Sequence, residues 1–314
     1  MKRKLINCIL VLPTLGVLAF ADAAGAATLY VSGFGSNSIQ QYDGTTGALT
    51  GTFATGGGLS GPEGLVFGTN GNLYVSSRGT NNVLEYDGKT GASLGIFAQG
   101  NGLNEPTGLK FGTNGNLYVS SLSTNNVLEY DGKTGASLST FAQSSTLRGP
   151  ADLVFGSDGN LYVAGFFSSN IERYDGKTGA FIGSFGEGSG LANPTGLTFG
   201  SDGNLYVSSF LSNQVLKYNS KTGAFLGIFA EGGGLSGPDG LAFGPDGDLY
   251  VSSFLSNKVL KYNGKTGASL GIFAQDGLVA PTGLAFSPTP VPEPSYTLEL
   301  WLFGSLIGYW LRKK

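Results

Sequence analysis

The chain has 314 residues, including 54 glycines, 21 phenylalanines, 14 tyrosines, one cysteine and no histidine; 21 acidic against 18 basic side chains leave a net charge of -3 at pH 7. Without histidine, Ser-His-Asp catalysis and histidine-ligated zinc are excluded, and there is no basic excess to displace the counterions of a nucleic acid. Glycine at this density beside so many aromatic residues suits short strands joined by tight turns.

Residues 1–27 read as a secretory leader. Lys2, Arg3 and Lys4 precede an apolar run over 5–20, and Ala21 with Ala23, or Ala24 with Ala26, gives the small-x-small spacing a signal peptidase requires. The run is short for a stable membrane span of about 20 residues. The mature chain is therefore expected to begin near Thr28, outside the cytoplasm. Cys8 leaves with the leader, and disulfides and thiol nucleophiles leave with it.

Residues 28–287 repeat. The run "LYV" starts at Leu29, Leu73, Leu117, Leu161, Leu205 and Leu249, a step of 44 residues, and a second run ending in phenylalanine starts at Leu65, Leu109, Leu153, Leu197, Leu241 and Leu284. Within the unit from Pro194 to Phe229, "GLTF", "NLYVSS", "QVLKY" and "AFLGIF" alternate as four short strands, with "SDGN" as an Asp-Gly hairpin turn whose two central residues take positive φ. Four strands per unit predict an all-β, six-bladed β-propeller of antiparallel blades. The ring is expected to close where the C-terminal strand, 283–286, pairs with the N-terminal blade, 28–54, leaving no open sheet edge. Twelve tyrosines on two repeat positions, as at Tyr74 and Tyr86, and twelve phenylalanines on two more, as at Phe67 and Phe97, are the expected core between blades.

A position repeated six times serves the fold, so chemistry is sought where units differ. After the proline that opens each first strand stand Glu63, Thr107, Ala151, Thr195, Asp239 and Thr282. After each second strand stand Phe34, Arg78, Leu122, Phe166, Phe210 and Phe254, joined by Phe167, Leu211 and Leu255. Blade geometry puts both sets at one mouth of the central channel, an apolar rim around two carboxylates. Glu63 and Asp239, separated by one blade, are the only metal ligands the pattern offers, and calcium is the ion they suit; no other cofactor is expected. The "DGKTG" turns carrying Lys89, Lys133, Lys177, Lys221 and Lys265 read as solvated, without function.

Beyond the repeats, residues 288–294 alternate proline and end in the "VPEP" motif, an extended spacer. Residues 295–314 hold a short apolar helix, interrupted by Glu299 and followed by Arg312, Lys313 and Lys314. That helix is a marginal span whose basic end would stay in the cytoplasm, a transient membrane insertion of an exported chain.

Three resemblances follow from these residues. "PTGLTFGSDGNLYVSSFLSNQVLKY" resembles an NHL repeat, which implies the propeller, though serine stands at Ser77, Ser121, Ser209 and Ser253 where many such repeats carry aspartate. "PDGLAF" around Asp239 and "GPEGLVF" around Glu63 are similar to the metal-binding strands of gluconolactonase and regucalcin-like propellers, which implies a divalent-metal hydrolase or lactonase with its metal at the channel mouth; threonine or alanine stands where that family's asparagine ligand is expected. "VPEP", the apolar helix and the basic cluster resemble a PEP-CTERM sorting signal of Gram-negative bacteria, which implies cleavage by an exosortase-like peptidase near Pro292, Glu293 and Pro294 and delivery from the inner membrane to the cell surface or exopolysaccharide matrix. The function expected is that of an exported, non-catalytic binding or interaction protein whose partner is a polysaccharide or surface protein, with the metal-dependent hydrolase as the alternative.

Overall fold

Proline opens the innermost strand of every blade, the one strand position where a missing N–H costs no ladder bond. In blade 2 this strand is Pro62–Phe67, followed antiparallel by Leu73–Ser77, Asn82–Tyr86 and the outer strand Ser93–Gln99. The computed structural model describes residues 27–186 and 190–287, and these hold six such four-stranded sheets. The leader, the proline-spaced linker and the C-terminal apolar segment lie outside the described residues. Among the described residues no helix is long and apolar enough to cross a membrane.

Blade 1 is assembled from both ends of the ring. Thr28–Gly33, Ser38–Asp43 and Leu49–Thr55 are completed by Pro281–Phe286, with Leu29 opposite Phe286 and Val31 opposite Leu284. Beyond the last pair, the Ser287 N–H donates to the Thr28 carbonyl at 2.8 Å and the Thr28 N–H to Ser287 Oγ at 3.0 Å. The closing strand is thus two residues longer than expected, because the proline belongs to it. Closure does not remove every edge: the outer strand of each blade pairs only inward. These outer strands are bent by register shifts, in blade 2 beside Gly95, whose φ is 108°, an irregularity that disfavours edge-to-edge pairing.

Burial falls from the axis outward. The second strand is buried on both faces in every blade, as at Leu73–Ser77, because it lies between two neighbouring sheets, whereas Leu94 and Ile96 of the outer strand are exposed. Between blades sits the expected aromatic core. Tyr74 meets Phe97 of its own blade and Phe111 of the next, edge to face, at 4.7 and 5.1 Å, and Tyr30, Tyr118, Tyr206 and Tyr250 repeat the arrangement. The other tyrosine row is buried with its hydroxyls satisfied, as where Tyr86 donates to the Gly56 carbonyl at 2.9 Å. At about 1.5–3 kcal/mol per buried large side chain, these rows carry the ring.

Loops between blades hold the mouth in place. The second and third strands turn through a left-handed residue, Asn37, Asn81, Asn125, Ser169, Asn213 or Asn257. Asparagine tolerates that conformation, and its side chain then reaches the next blade: Gly61 N–H donates to Asn37 Oδ1 at 2.7 Å, and Gly237 N–H to Asn213 Oδ1 at 2.8 Å. The "SDGN" turn differs from expectation. Gly203 has φ 75° but Asp202 does not join it in the positive region; Gly203 N–H donates to the Gly200 carbonyl, and Gly200 N–H to the Asn204 carbonyl. This is a three-residue hairpin in which a turn is followed by a left-handed glycine, and Asp202 instead accepts the Asn204 N–H. The "DGKTG" turns are also more than solvated loops, since Gly91 lies so close to the preceding blade that a Cβ would sit 1.8 Å from the Phe53 carbonyl oxygen.

Candidate functional site

The inner strands converge on the axis so closely that the residue after Pro-x is glycine in five of the six blades. A Cβ on Gly196, Gly240 or Gly283 would fall within 2.5 Å of the next blade's carbonyl oxygen. Glu63, Thr107, Ala151, Thr195 and Asp239, one position earlier, line the channel mouth together with Arg78, Leu122, Phe166, Phe210 and Phe254 around a cavity of about 180 Å³. Both sets of residues singled out in the sequence therefore meet on one face.

Alternate blades use the first set differently. Thr107, Thr195 and Thr282 turn their hydroxyls to the next blade, donating to the carbonyls of Pro150, Pro238 and Pro62 at 2.8, 2.8 and 2.9 Å. Those three threonines fasten neighbouring blades. Glu63, Ala151 and Asp239 occupy the blades between them.

Glu63 is not a solvated rim carboxylate. Arg78 donates to it at 3.2 Å and to Glu105 at 3.3 Å, and the Glu63 side chain is only 12% exposed. Burial, opposed by Arg78 and reinforced by the Glu105 charge, pushes its carboxyl up to about 7. Glu105 moves the other way, below its usual value, because the Ser123 hydroxyl donates to it and Arg78 lies beside it. The Asp239 side chain has no hydrogen bond or close ion pair among the described residues, and burial together with the charges of Glu63 and Asp152, opposed by the Arg78 charge, holds its carboxyl well above the usual range.

Asp152 was not singled out by sequence reasoning. It stands where the other five blades carry glycine, Gly64, Gly108, Gly196, Gly240 and Gly283, and that departure was the available signal. A second, narrower cavity of about 40 Å³ continues inward from Glu63 and Asp239 to Asp152 and Lys110. The Asp152 carboxylate accepts its neighbour's N–H, Leu153, at 2.8 Å and that of Leu197 in the next blade at 2.9 Å. It ties two neighbouring inner strands together.

Over the carboxylates lies a file of rings. Phe166, Phe210, Phe254 and Phe34 follow one another with centroids 6.0, 6.0 and 6.1 Å apart, and the Arg78 guanidinium lies 5.9 Å from the Phe34 ring centre. Leu122 is buried where the file ends, while Phe167, Leu211 and Leu255 are 62%, 65% and 59% exposed at its border. As for calcium, which takes six to eight oxygens, the donor set does not match. Arg78 holds the cation's place beside Glu63, phenylalanines line the wall near Asp239, and among the described residues no three Asp, Glu, Cys or His side chains converge as a metal group. Pro292, Glu293, Pro294, Arg312, Lys313 and Lys314 lie outside the described residues.

No protein-family model matches the chain, and no curated protein matches it by sequence. Solved structures match it by shape. A chain of the nidogen/laminin complex superposes with a TM-score of 0.68 at 16% identity, covering 84% of this chain and 99% of that one. A Bacteroides caccae protein of unknown function gives 0.65 at 17%, covering 83% and 99%. A catalytically inactive virginiamycin B lyase from Staphylococcus aureus, with quinupristin, gives 0.61 at 16%, covering 84% and 93%. At these identities the likeness is one of fold: a six-bladed propeller.

Proposed function

We propose that this chain is an exported, non-catalytic binding protein of the cell surface or exopolysaccharide matrix, and that its contact site is the aromatic mouth of the channel. The observation that carries the reading is the continuous file from Phe166 to Phe34 with its exposed border of Phe167, Leu211 and Leu255. The blade core does not require these side chains, since the tyrosine and phenylalanine rows already fill the space between sheets. Contiguous exposed apolar groups mark contact surfaces, and aromatic faces beside carboxylate acceptors suit a polysaccharide.

Two further observations support it. The inactive lyase among the shape neighbours differs from its active form by exchange of a histidine for alanine, and this chain has no histidine with which to do such chemistry. The leader and the "VPEP" tail support export, removal of residues 1–27 by signal peptidase and cleavage near Pro292, Glu293 and Pro294 by an exosortase-like peptidase.

Changing Phe210 and Phe254 together to alanine should weaken binding to isolated matrix polysaccharide by at least about tenfold, about 1.4 kcal/mol, measured on a glycan array and by calorimetry. Unchanged affinity would remove the mouth from the account. Intact mass of the protein recovered from its host should show the leader and the last ~20 residues, about one membrane span, to be missing; retention of Lys314 would overturn the processing.

A further inference from the structure

The repeat offers an internal comparison at the mouth. Two positions fifteen residues apart are filled by Glu63 and Arg78 in blade 2, and by Asp239 and Phe254 in blade 6. In blade 2 the second position supplies a guanidinium, and the acid is satisfied at 3.2 Å. In blade 6 the acid is present and its own second position carries no cation: among the described residues Asp239 has no hydrogen bond or close ion pair, feels the Arg78 charge only at longer range, and lines a cavity with Phe210, Phe254 and Phe166. The Phe210 ring is brought there by Gly237, two residues before Asp239, where a Cβ would lie 3.0 Å from that ring. A carboxylate in such surroundings is costly unless it takes up a proton or a positive charge arrives, and the faces of phenylalanine rings attract cations.

Resting on the reading of the mouth as a binding site, we propose that the ligand brings the missing cation: an ammonium group, received by Asp239 between the rings of Phe210 and Phe254. The cavity, about 180 Å³, exceeds the roughly 150 Å³ that admits benzene elsewhere, so a methylated ammonium or the amino group of a sugar fits. Beside the Glu63 carboxyl and the hydroxyls of Thr107 and Thr195, three phenylalanines and Phe167 make up much of the wall, which favours an ammonium whose charge is spread over carbon substituents. Arg78 cannot serve instead, being held by Glu63 and Glu105.

Calorimetry on the unaltered protein separates the alternatives without any variant. Choline is compared with its uncharged carbon isostere, dimethylbutanol, and a glucosamine tetramer with its N-acetylated form. The ammonium member of a pair should bind at least about tenfold more tightly, within the range of a desolvated cation–π contact joined to a carboxylate. Preference within the sugar pair alone assigns the group to an amino polysaccharide; preference within the choline pair alone assigns it to a small amine. Asp239→Asn should bring each preference below about twofold while leaving the melting temperature at or above that of the parent, since a buried acid is removed, and Leu94→Ala, exposed on an outer strand away from the mouth, should leave each preference intact. Choline affinity should also rise with pH as Asp239 and Glu63 give up protons, the other charges facing them being Asp152, Glu105, Arg78 and Lys110. Equal binding of charged and uncharged members overturns the inference but leaves the mouth as a glycan site. Stabilisation by calcium with no ammonium binding also overturns it. Loss of polysaccharide binding in the Phe210 and Phe254 double variant is a separate result, and its failure would sink the mouth itself.

Discussion

Glu63 shows how a single side chain sets the pH response of the ring. Its carboxyl ionises near 7 in the folded protein against 4.5 for the ordinary group, so between those values the native state holds a proton the unfolded chain has lost. Stability must then fall as pH rises from about 4.5 to 7 and level off above, since ∂ΔG/∂pH takes the sign of protons bound unfolded minus folded. A shift of that size corresponds to about 3 kcal/mol. Glu63→Gln removes the titration and relieves Asp239, so the decline between pH 4.5 and pH 8, measured by urea unfolding, should flatten by at least about 2 kcal/mol. Parallel profiles in parent and variant would mean that Glu63 ionises normally. Both Glu63 and Arg78 were legible as irregularities in the repeat, but they belong to different repeat positions, and only folding brings the two together. Asp152 is harder to read, because the variable residue after each proline hides the position that follows it; there glycine is nearly invariant for steric reasons, and its single replacement carries the information.

At the scale of the element, the turn after the second strand does more than reverse the chain. Its left-handed asparagine is also the hydrogen-bond acceptor that fastens the next blade, so backbone conformation and packing between blades depend on one residue. Asn213→Gly keeps the conformation and loses the 2.8 Å bond from Gly237, which should cost about 1 kcal/mol. Asn213→Ala loses both and should cost about 1–2 kcal/mol more. Blade 4 carries Ser169 in this role, with a longer bond of 3.2 Å from Asn193, and Ser169→Asn should stabilise by roughly 0.5–1 kcal/mol. Guanidinium unfolding of the three variants tests the set; equal losses at Asn213 would show the conformation to be free of strain. The asparagine was visible in the sequence as punctuation before the third strand, but its reach into the neighbouring blade was not, because the acceptor and donor lie 24 residues apart. The Asp-Gly turn was misread for a related reason: the same letters serve a two-residue and a three-residue hairpin, and strand pairing decides between them.

For the whole molecule, six equal units and two incomplete ends made both the blade count and the closure legible before any coordinates. Equal spacing of two apolar runs leaves few other arrangements that bury both faces of the second strand. The ring also closes at one seam, where, among the described residues, the one pair of neighbouring strands in a sheet that is not consecutive in the chain joins Thr28–Gly33 to Pro281–Phe286. Thr28 and Ser287 are joined there by one backbone hydrogen bond and one to the Ser287 hydroxyl and are not fully buried, and residues facing each other across antiparallel strands have Cα atoms about 4.5–5.5 Å apart, within disulfide range. In protein produced without residues 1–26, and so without Cys8, Thr28→Cys combined with Ser287→Cys would give one possible disulfide and no competing thiol. Closing a loop of nearly the whole ring should stabilise the oxidised form over the reduced by on the order of 5 kcal/mol in the chain-entropy account, read as a shift in urea midpoint on adding reductant. The unfolding rate supplies the second half of the test. If blade 1 parts first, the bridge slows unfolding by about as much as it stabilises, because the seam is already open in the transition state; if another junction parts first, the gain falls on the refolding rate and the seam is not the weak point of the ring.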